Sequence, residues 1–312
     1  MFWISKKTVG LSEAWKNGFV DIHNHLLPGI DDGSKSVAQT EAMIQGMQEL
    51  GITEAIATPH TYPGLWNNNS ETISAAFKTV AHPFITKSSS EYFADAYLLE
   101  RAEKQQLIPL KDDFLLIEFA MMSEPVDAIM DVLFELKLKG YRLVLAHPER
   151  YSYWEKNLNI FEQLKSFDLD FQLNALSVVG YYGPTCKKMA EYLLENDCYD
   201  FLGTDFHTLE QIAFAKNHLF AEKYLKKIMK NKLLIPPINA KVAPNAPTKY
   251  PVLNALRLPP SAVHLANGNA KSAAPTTVEV CTNPASASDP VICTTRSDPA
   301  AKVPVTPRPE RV

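Results

Sequence analysis

Along the first 235 residues the apolar positions fall into two alternating patterns. Short apolar runs at 19–22, 54–57, 114–117, 142–145, 170–173 and 199–202 have the length and composition of buried strands, and a seventh lies at 84–86. Between them apolar residues recur at helical spacing. The clearest case is Val126, Ile129, Met130, Leu133 and Phe134, with Pro125 where a first helical turn tolerates it. Strands alternating with helices predict a parallel sheet, because each crossover needs a helix's length of chain to return. About seven such units without a glycine-rich dinucleotide fingerprint favour an α/β barrel over an open doubly wound sheet.

The pattern stops near residue 235. Fourteen of the 22 prolines lie beyond it, and segments such as NAKVAPNAPTKYPV have neither period. Such composition buries too little apolar surface to offset the entropy of ordering, so the sequence predicts a domain over 1–235 and a disordered Pro/Ala-rich tail over 236–312. The net charge of -4 and pI of about 6.1 give no general attraction to nucleic acid or anionic membranes. There is no apolar stretch of transmembrane length, and the N-terminus lacks the apolar run and cleavage site of a secretion signal, so a cytoplasmic location is expected. The four cysteines form no C-x-x-C pair, which removes a zinc ribbon and agrees with reduced thiols.

Polar residues gather at the C-terminal ends of the predicted strands: Asp21-Ile22-His23-Asn24-His25, Thr58-Pro59-His60, Glu118, His147-Pro148-Glu149-Arg150, and Thr204-Asp205-Phe206-His207. In a barrel these tips converge on one face, where such folds carry their active sites. Side chains at i and i+2 of a strand share a face, so His23 and His25 reach one point, as do Asp205 and His207. Five of eight histidines sit at such tips beside carboxylates. Burying them without partners would cost several kcal/mol, whereas together they are a ligand set for divalent metals.

The runs DIHNHLLPGIDDGSKS, ATPH, LIEF, LAHPERY and GTDFH, in that order over roughly residues 15–230, resemble the PHP superfamily. The resemblance is closest to the capsule-regulating bacterial tyrosine phosphatases of the CpsB/CapC type. It implies an irregular (β/α)7 barrel holding three divalent ions, manganese being usual and iron, magnesium or zinc alternatives. Carried over position by position, it implies that His23, His25 and Asp205 bind a first metal. Glu118 bridges to a second, which Glu91 and His147 complete, and Asp32, His60 and His207 bind a third. Arg150 would hold the substrate phosphate. The implied substrate is phosphotyrosine in a protein, with an autophosphorylating tyrosine kinase as partner.

This chain departs from that pattern in two places. The interval from His60 to Glu91 is short for a helix, a turn and a strand, and no arginine follows the D-x-H of Asp205 and His207. Tyr62, Trp66, Tyr151, Tyr153 and Trp154 follow the site motifs and suit either an aromatic rim or ordinary loop packing. A thiol phosphatase is excluded, because no cysteine has an arginine six residues on. A nuclease lacks its basic groove. The other functions compatible with these residues are a small-molecule phosphatase of the histidinol-phosphate type and a non-catalytic or damaged metal-binding copy.

Overall fold

The computed structural model describes residues 7–228 and the backbone of two short strands, Val280–Cys281 and Val291–Ile292. Those two pair antiparallel with each other in a unit of their own. The rest of the 236–312 segment, and with it the expected tail, lies outside the described residues.

Among the described residues of the main unit there are eleven strands: β1 (Thr8–Gly10), β2 (Phe19–Asp21), β3 (Ile52–Ala57), β4 (His60–Thr61), β5 (Ile85–Ser88), β6 (Glu91–Phe93), β7 (Phe114–Glu118), β8 (Arg142–Ala146), β9 (Asp170–Asn174), β10 (Phe201–Gly203) and β11 (Leu219–Ala221). The architecture is mixed α/β around a curled parallel sheet. Six strands pair in the order β10-β9-β8-β7-β6-β4, and three in the order β2-β3-β5. β1 and β11 form a separate antiparallel pair. β4 follows β3 after two residues, so the two sheets are successive parts of one curled surface. Just past β2 and β10, Asn24 bridges Phe206 in parallel. There His25 N–H donates to Phe206 O at 3.0 Å, and Asp205 N–H to His23 O at 2.7 Å.

Alternation along the strands sorts side chains onto two faces. Leu115 and Ile117 of β7, and Leu143 and Leu145 of β8, point to a cluster shared with the helices Ala96–Glu103, Asp127–Leu138 and Asn159–Ser166. Leu116, Val144, Ala146 and Phe201 point the other way, with Ile22, Ile56, Leu110 and Phe114, and fill the inside of the curl. Burying a leucine, isoleucine or valine there contributes about 1.5–3 kcal/mol each. The inward face then changes character at the strand tips, where the next alternating positions are Glu118 on β7 and Gln172 and Asn174 on β9.

Each of the seven predicted runs lies on a strand, with ends shifted by a few residues. The two additions that matter are β4 and β6, which are too short to stand out as apolar runs. The helix expected from Val126 begins at Asp127. Val126 is its exposed N-cap, and Leu133 and Leu136 are the buried positions, so the inward stripe starts one turn later than the apolar spacing suggests. Among the described residues no helix is long and apolar enough to cross a membrane.

Candidate metal centre

Every residue proposed as a metal ligand lies at a strand tip or in the turn after one, and the nine converge. Among the described residues three sets have ligand atoms mutually within 4.8 Å: His23, His25, Glu91 and Asp205; His60, Glu91 and Glu118; and His25, Asp32, His60 and His207. His147 joins the second set, with Nε2 at 3.0 Å from Glu91 Oε1 and 4.0 Å from Glu118 Oε2.

The backbone aims these groups at some local cost. His147 has φ 33° and ψ 56°, and Asp205 has φ 54°, both left-handed conformations that L-residues seldom adopt. At His147 this ends β8 abruptly and starts the 3-10 turn Pro148–Arg150, which brings Arg150 back over the centre. The short His60–Glu91 interval also closes. Asn69 caps the helix Ser70–Val80 in a capping box, and left-handed Ala81 ends it. A tight turn at His82 then leads into β5, and Glu91 N–H donates to Pro59 O at 3.1 Å, so β6 lies beside β4.

Glu91 is the hub. Its Oε2 lies 3.0 Å from His23 Nε2, 3.4 Å from His25 Nε2 and 3.2 Å from His60 Nδ1, while Oε1 faces His147. The resemblance gives the bridging role to Glu118. In this geometry Glu118 faces His60, with Oε1 at 3.1 Å, and His147, whereas Glu91 belongs to two of the three sets. His60 also spans two sets, since its Nε2 lies 3.6 Å from Asp32. His207 Nε2 approaches Asp32 at 3.5 Å.

Surrounding groups fix which imidazole nitrogens point inward. His23 Nδ1 donates to Gln172 Oε1 at 2.7 Å, and the Gln172 amide is itself oriented by donating to Leu173 O. His25 Nδ1 donates to Asp31 Oδ2 at 2.8 Å, and His207 Nδ1 to the Asp205 carbonyl at 2.9 Å. With Nδ1 committed, the Nε2 lone pairs of His23 and His25 face each other at 3.4 Å amid carboxylate oxygens. Such an assembly is repulsive unless cations stand between its members. Buried Asp32 Oδ1, His60 Nδ1 and Glu91 Oε2 have no hydrogen-bond partner, as expected of atoms that coordinate metal. The donor set therefore fits divalent ions, with imidazole and carboxylate in mixed proportion.

Without metal, protons on the imidazoles and the Arg150 guanidinium offset the carboxylates, and the titration directions reflect this. Burial opposes charging His23, but Glu91 and Asp205 overcome it and raise its pKa. His25 is likewise raised despite burial, by Asp31 first. Burial also opposes charging His60, yet Glu118 and Glu91 carry it up to about 9. Glu91 and Asp205 are held well below the carboxylate range against their own burial, Glu91 by His23 and His60 and Asp205 by His23 and His207. His207 alone is lowered, through burial and then the neighbouring His25.

Arg150 lies at the rim. Its Nη1 donates to Asp205 Oδ2 at 2.7 Å, and its side chain is 12% exposed where Asp205 is 1%. Of the five aromatic candidates, Trp66 stacks on His60 at 4.6 Å and Tyr62 on Phe93 at 3.9 Å, both half-buried beside the centre. Tyr151 and Trp154 are core instead. The Tyr151 hydroxyl accepts from Phe119 N–H and donates to Ala146 O, and Tyr153 bonds Ala120 O beside them.

A family model described as capsular polysaccharide synthesis, CpsB/CapC, matches residues 19–235. The chain belongs to the CpsB/CapC family. Among its relatives, the tyrosine-protein phosphatase YwqE of Bacillus subtilis (strain 168) is 29% identical over 199 residues, 61% of this chain and 78% of the relative. The tyrosine-protein phosphatase CpsB of Streptococcus pneumoniae is 28% identical over 204 residues, 61% of this chain and 84% of the relative. A solved structure from work on YwqE and CpsB, described as unique metal-dependent tyrosine phosphatases, aligns with a TM-score of 0.58 at 28% identity. It covers 69% of this chain and 89% of that one.

The sequence of this CpsB/CapC family member did not single out Gln172 or Asn174, and did not separate Asp31 from its neighbour Asp32. Gln172 and Asn174 had a usable signal, because Q-L-N at the tip of β9 places two polar side chains on one face, as H-x-H does at β2. Asp31 had none, since nothing in I-D-D-G distinguishes the residue that orients His25 from the one that faces His60 and His207.

Proposed function

We propose that this chain is a metal-dependent phosphatase that hydrolyses phosphotyrosine in proteins. The observation that carries the reading is the convergence of three overlapping ligand sets, two of which share Glu91, with a single arginine at the rim. Its family and the phosphatase names of its relatives support the substrate class. The ligand assignment we propose is His23, His25, Glu91 and Asp205 for one ion. His60, Glu91, Glu118 and His147 take a second, and His25, Asp32, His60 and His207 face a third. Manganese is the proposed metal, the curled sheet is read as the irregular (β/α)7 barrel of PHP proteins, and residues 1–235 as the catalytic domain. An autophosphorylating tyrosine kinase in the cytoplasm is the proposed partner.

Bound divalent ions supply a water whose pKa falls toward neutrality and offset the charge of the phosphoryl oxygens. The chain's own residues do the rest. Gln172 and Asp31 keep the Nδ1 protons of His23 and His25 turned outward, so both Nε2 atoms stay available as ligands. The guanidinium of Arg150 offers paired N–H donors to phosphate oxygens, which orients the ester and draws charge from it. Trp66 and Tyr62 present aromatic surface beside His60, suited to a phenyl ring. A phenolate leaves readily, so the site has little need of a strong acid.

The test is phosphate release from a phosphotyrosine peptide by the manganese-supplemented protein. EDTA should abolish turnover, and Arg150→Ala should lower kcat/KM about 10- to 100-fold, the loss of one charge-assisted contact. Histidinol phosphate turned over faster than the peptide would overturn the substrate assignment. A folded, metal-loaded protein inert toward both would overturn the enzyme reading.

A further inference from the structure

The rim arginine rests on something. The guanidinium carbon of Arg150 lies 4.2 Å from the ring centroid of Tyr182, over its face. Tyr182 is the residue before the helix Gly183–Glu195, at an N-cap where its side chain makes no capping bond, and its ring meets Tyr181 edge-on at 5.1 Å. The Tyr182 hydroxyl accepts from Asn174 Nδ2 at 3.2 Å. The same Asn174 amide donates to Asp205 Oδ2 at 2.9 Å, the oxygen that also receives Arg150 Nη1 at 2.7 Å. Asn174 is fully buried and fixed from its other end, where its Oδ1 accepts from Leu176 N–H. Arg150, Asn174, Tyr182 and Asp205 thus form a closed cycle of contacts. Asp205 has a second donor that stays in place if the arginine turns toward a ligand.

We propose that Tyr182 and Asn174 are positioning residues for Arg150. On this proposal the Tyr182 ring is a platform that keeps the guanidinium flat at the rim, and Asn174 holds Asp205 Oδ2 when Arg150 transfers its N–H groups to the substrate phosphate. The inference rests on the reading of Arg150 as the phosphate-binding residue. An arginine stacked on an aromatic face keeps its charge and its in-plane donors while losing rotamer freedom, so the stack serves binding of a dianionic phosphate rather than bond cleavage.

The experiment measures inorganic phosphate binding by calorimetry, and peptide kinetics, on the manganese-loaded full chain. The variants are Tyr182→Leu, Tyr182→Met, Tyr182→Phe and Arg150→Ala, each checked for metal content and thermal unfolding. Loss of the platform should weaken phosphate binding and raise KM about five- to tenfold in the Leu and Met variants, with kcat within about twofold. Tyr182→Phe, which keeps the ring, should match the wild type within about twofold. Two nonaromatic replacements guard against one failing to fold. If Tyr182→Leu and Tyr182→Met bind phosphate like the wild type while Arg150→Ala does not, the platform is overturned and the arginine assignment stands. If Arg150→Ala also binds like the wild type, the phosphate-binding role itself falls. A Phe variant as weak as the Leu variant would assign the effect to the hydroxyl bonded to Asn174, and would overturn the stacking role.

Discussion

Adjacent residues Asp31 and Asp32 face different partners. Asp32 points at His60 and His207, while Asp31 accepts from His25 Nδ1, His60 N–H and Gly33 N–H without facing the ligand cluster. Every contact of the Asp31 carboxylate is with a donor, so an isosteric amide must oppose an N–H to one of them. Asp31→Asn should therefore lower metal affinity and activity about 10- to 100-fold, as lost orienting partners of metal-bound imidazoles do, and metal titration of the variant checks it. A second prediction concerns the thiols. Burial, with Glu149 adding to it, pushes Cys186 up to about 12 from the ordinary thiol value. Because the folded pKa is raised, the thiol's stabilising contribution is complete below the unfolded value near 9 and is lost only as pH rises through about 12. From pH 7 to 8.5 Cys186 therefore stays protonated. Iodoacetamide should leave it unmodified in peptide maps of native protein and leave activity unchanged, whereas a thiolate-dependent phosphatase would be inactivated.

Strand β10 shows how tightly an element is fitted to the centre. A Cβ on Gly203 would fall 2.5 Å from His23 Cβ and 2.9 Å from Gln172 Nε2, so only glycine lets β10 approach β2 and β9 while their polar tips stay in place. Gly203→Ala should cost about 1–3 kcal/mol by overpacking and displace His23. Thermal unfolding and metal content should fall together, and a normal metal content would refute the fit. Most elements were legible in the sequence because buried parallel strands are continuous apolar runs. β4 and β6 were not, since two or three residues dominated by a histidine, a threonine and a glutamate carry no strand period. Yet these carry His60 and Glu91. Seven of the nine ligand residues were legible from the density of imidazole and carboxylate at strand tips, and Asp32 and Glu91 only through the family resemblance. Their connectivity was not, because which carboxylate lies central depends on how far each strand reaches into the curl. Glu91 lies central among the imidazoles, while Glu118, which the resemblance makes the bridge, faces His60 and His147 beside it. Of the aromatic residues that suited either a rim or ordinary packing, Tyr151 and Trp154 take the packing role, because the turn after His147 carries them into the core.

At the scale of the whole molecule the centre ties together strands from both ends of the domain. Buried Asp21 accepts from Thr204 N–H and Oγ1, 183 positions away, and Asn24 pairs with Phe206. Metal should thus stabilise the entire curl. EDTA should lower the unfolding temperature, by an amount corresponding to about 2.7 kcal/mol when free metal had stood at 100 times its dissociation constant. A chain ending at residue 235 should keep both the metal response and the activity, since the family match ends there. During synthesis the same interleaving orders events. His60, Glu91, Glu118 and His147 lie on or just after β4, β6, β7 and β8, neighbours in one sheet, so a ribosome-bound chain of about half length already carries every residue of one proposed set. The other two sets each need Asp205 or His207, which emerge last. On the proposed assignment, a product stopped before Asp205 keeps the ligands of one set and lacks a ligand of each of the other two. On that assignment, occupancy of all three sets would be a chemical mark of a chain translated past His207.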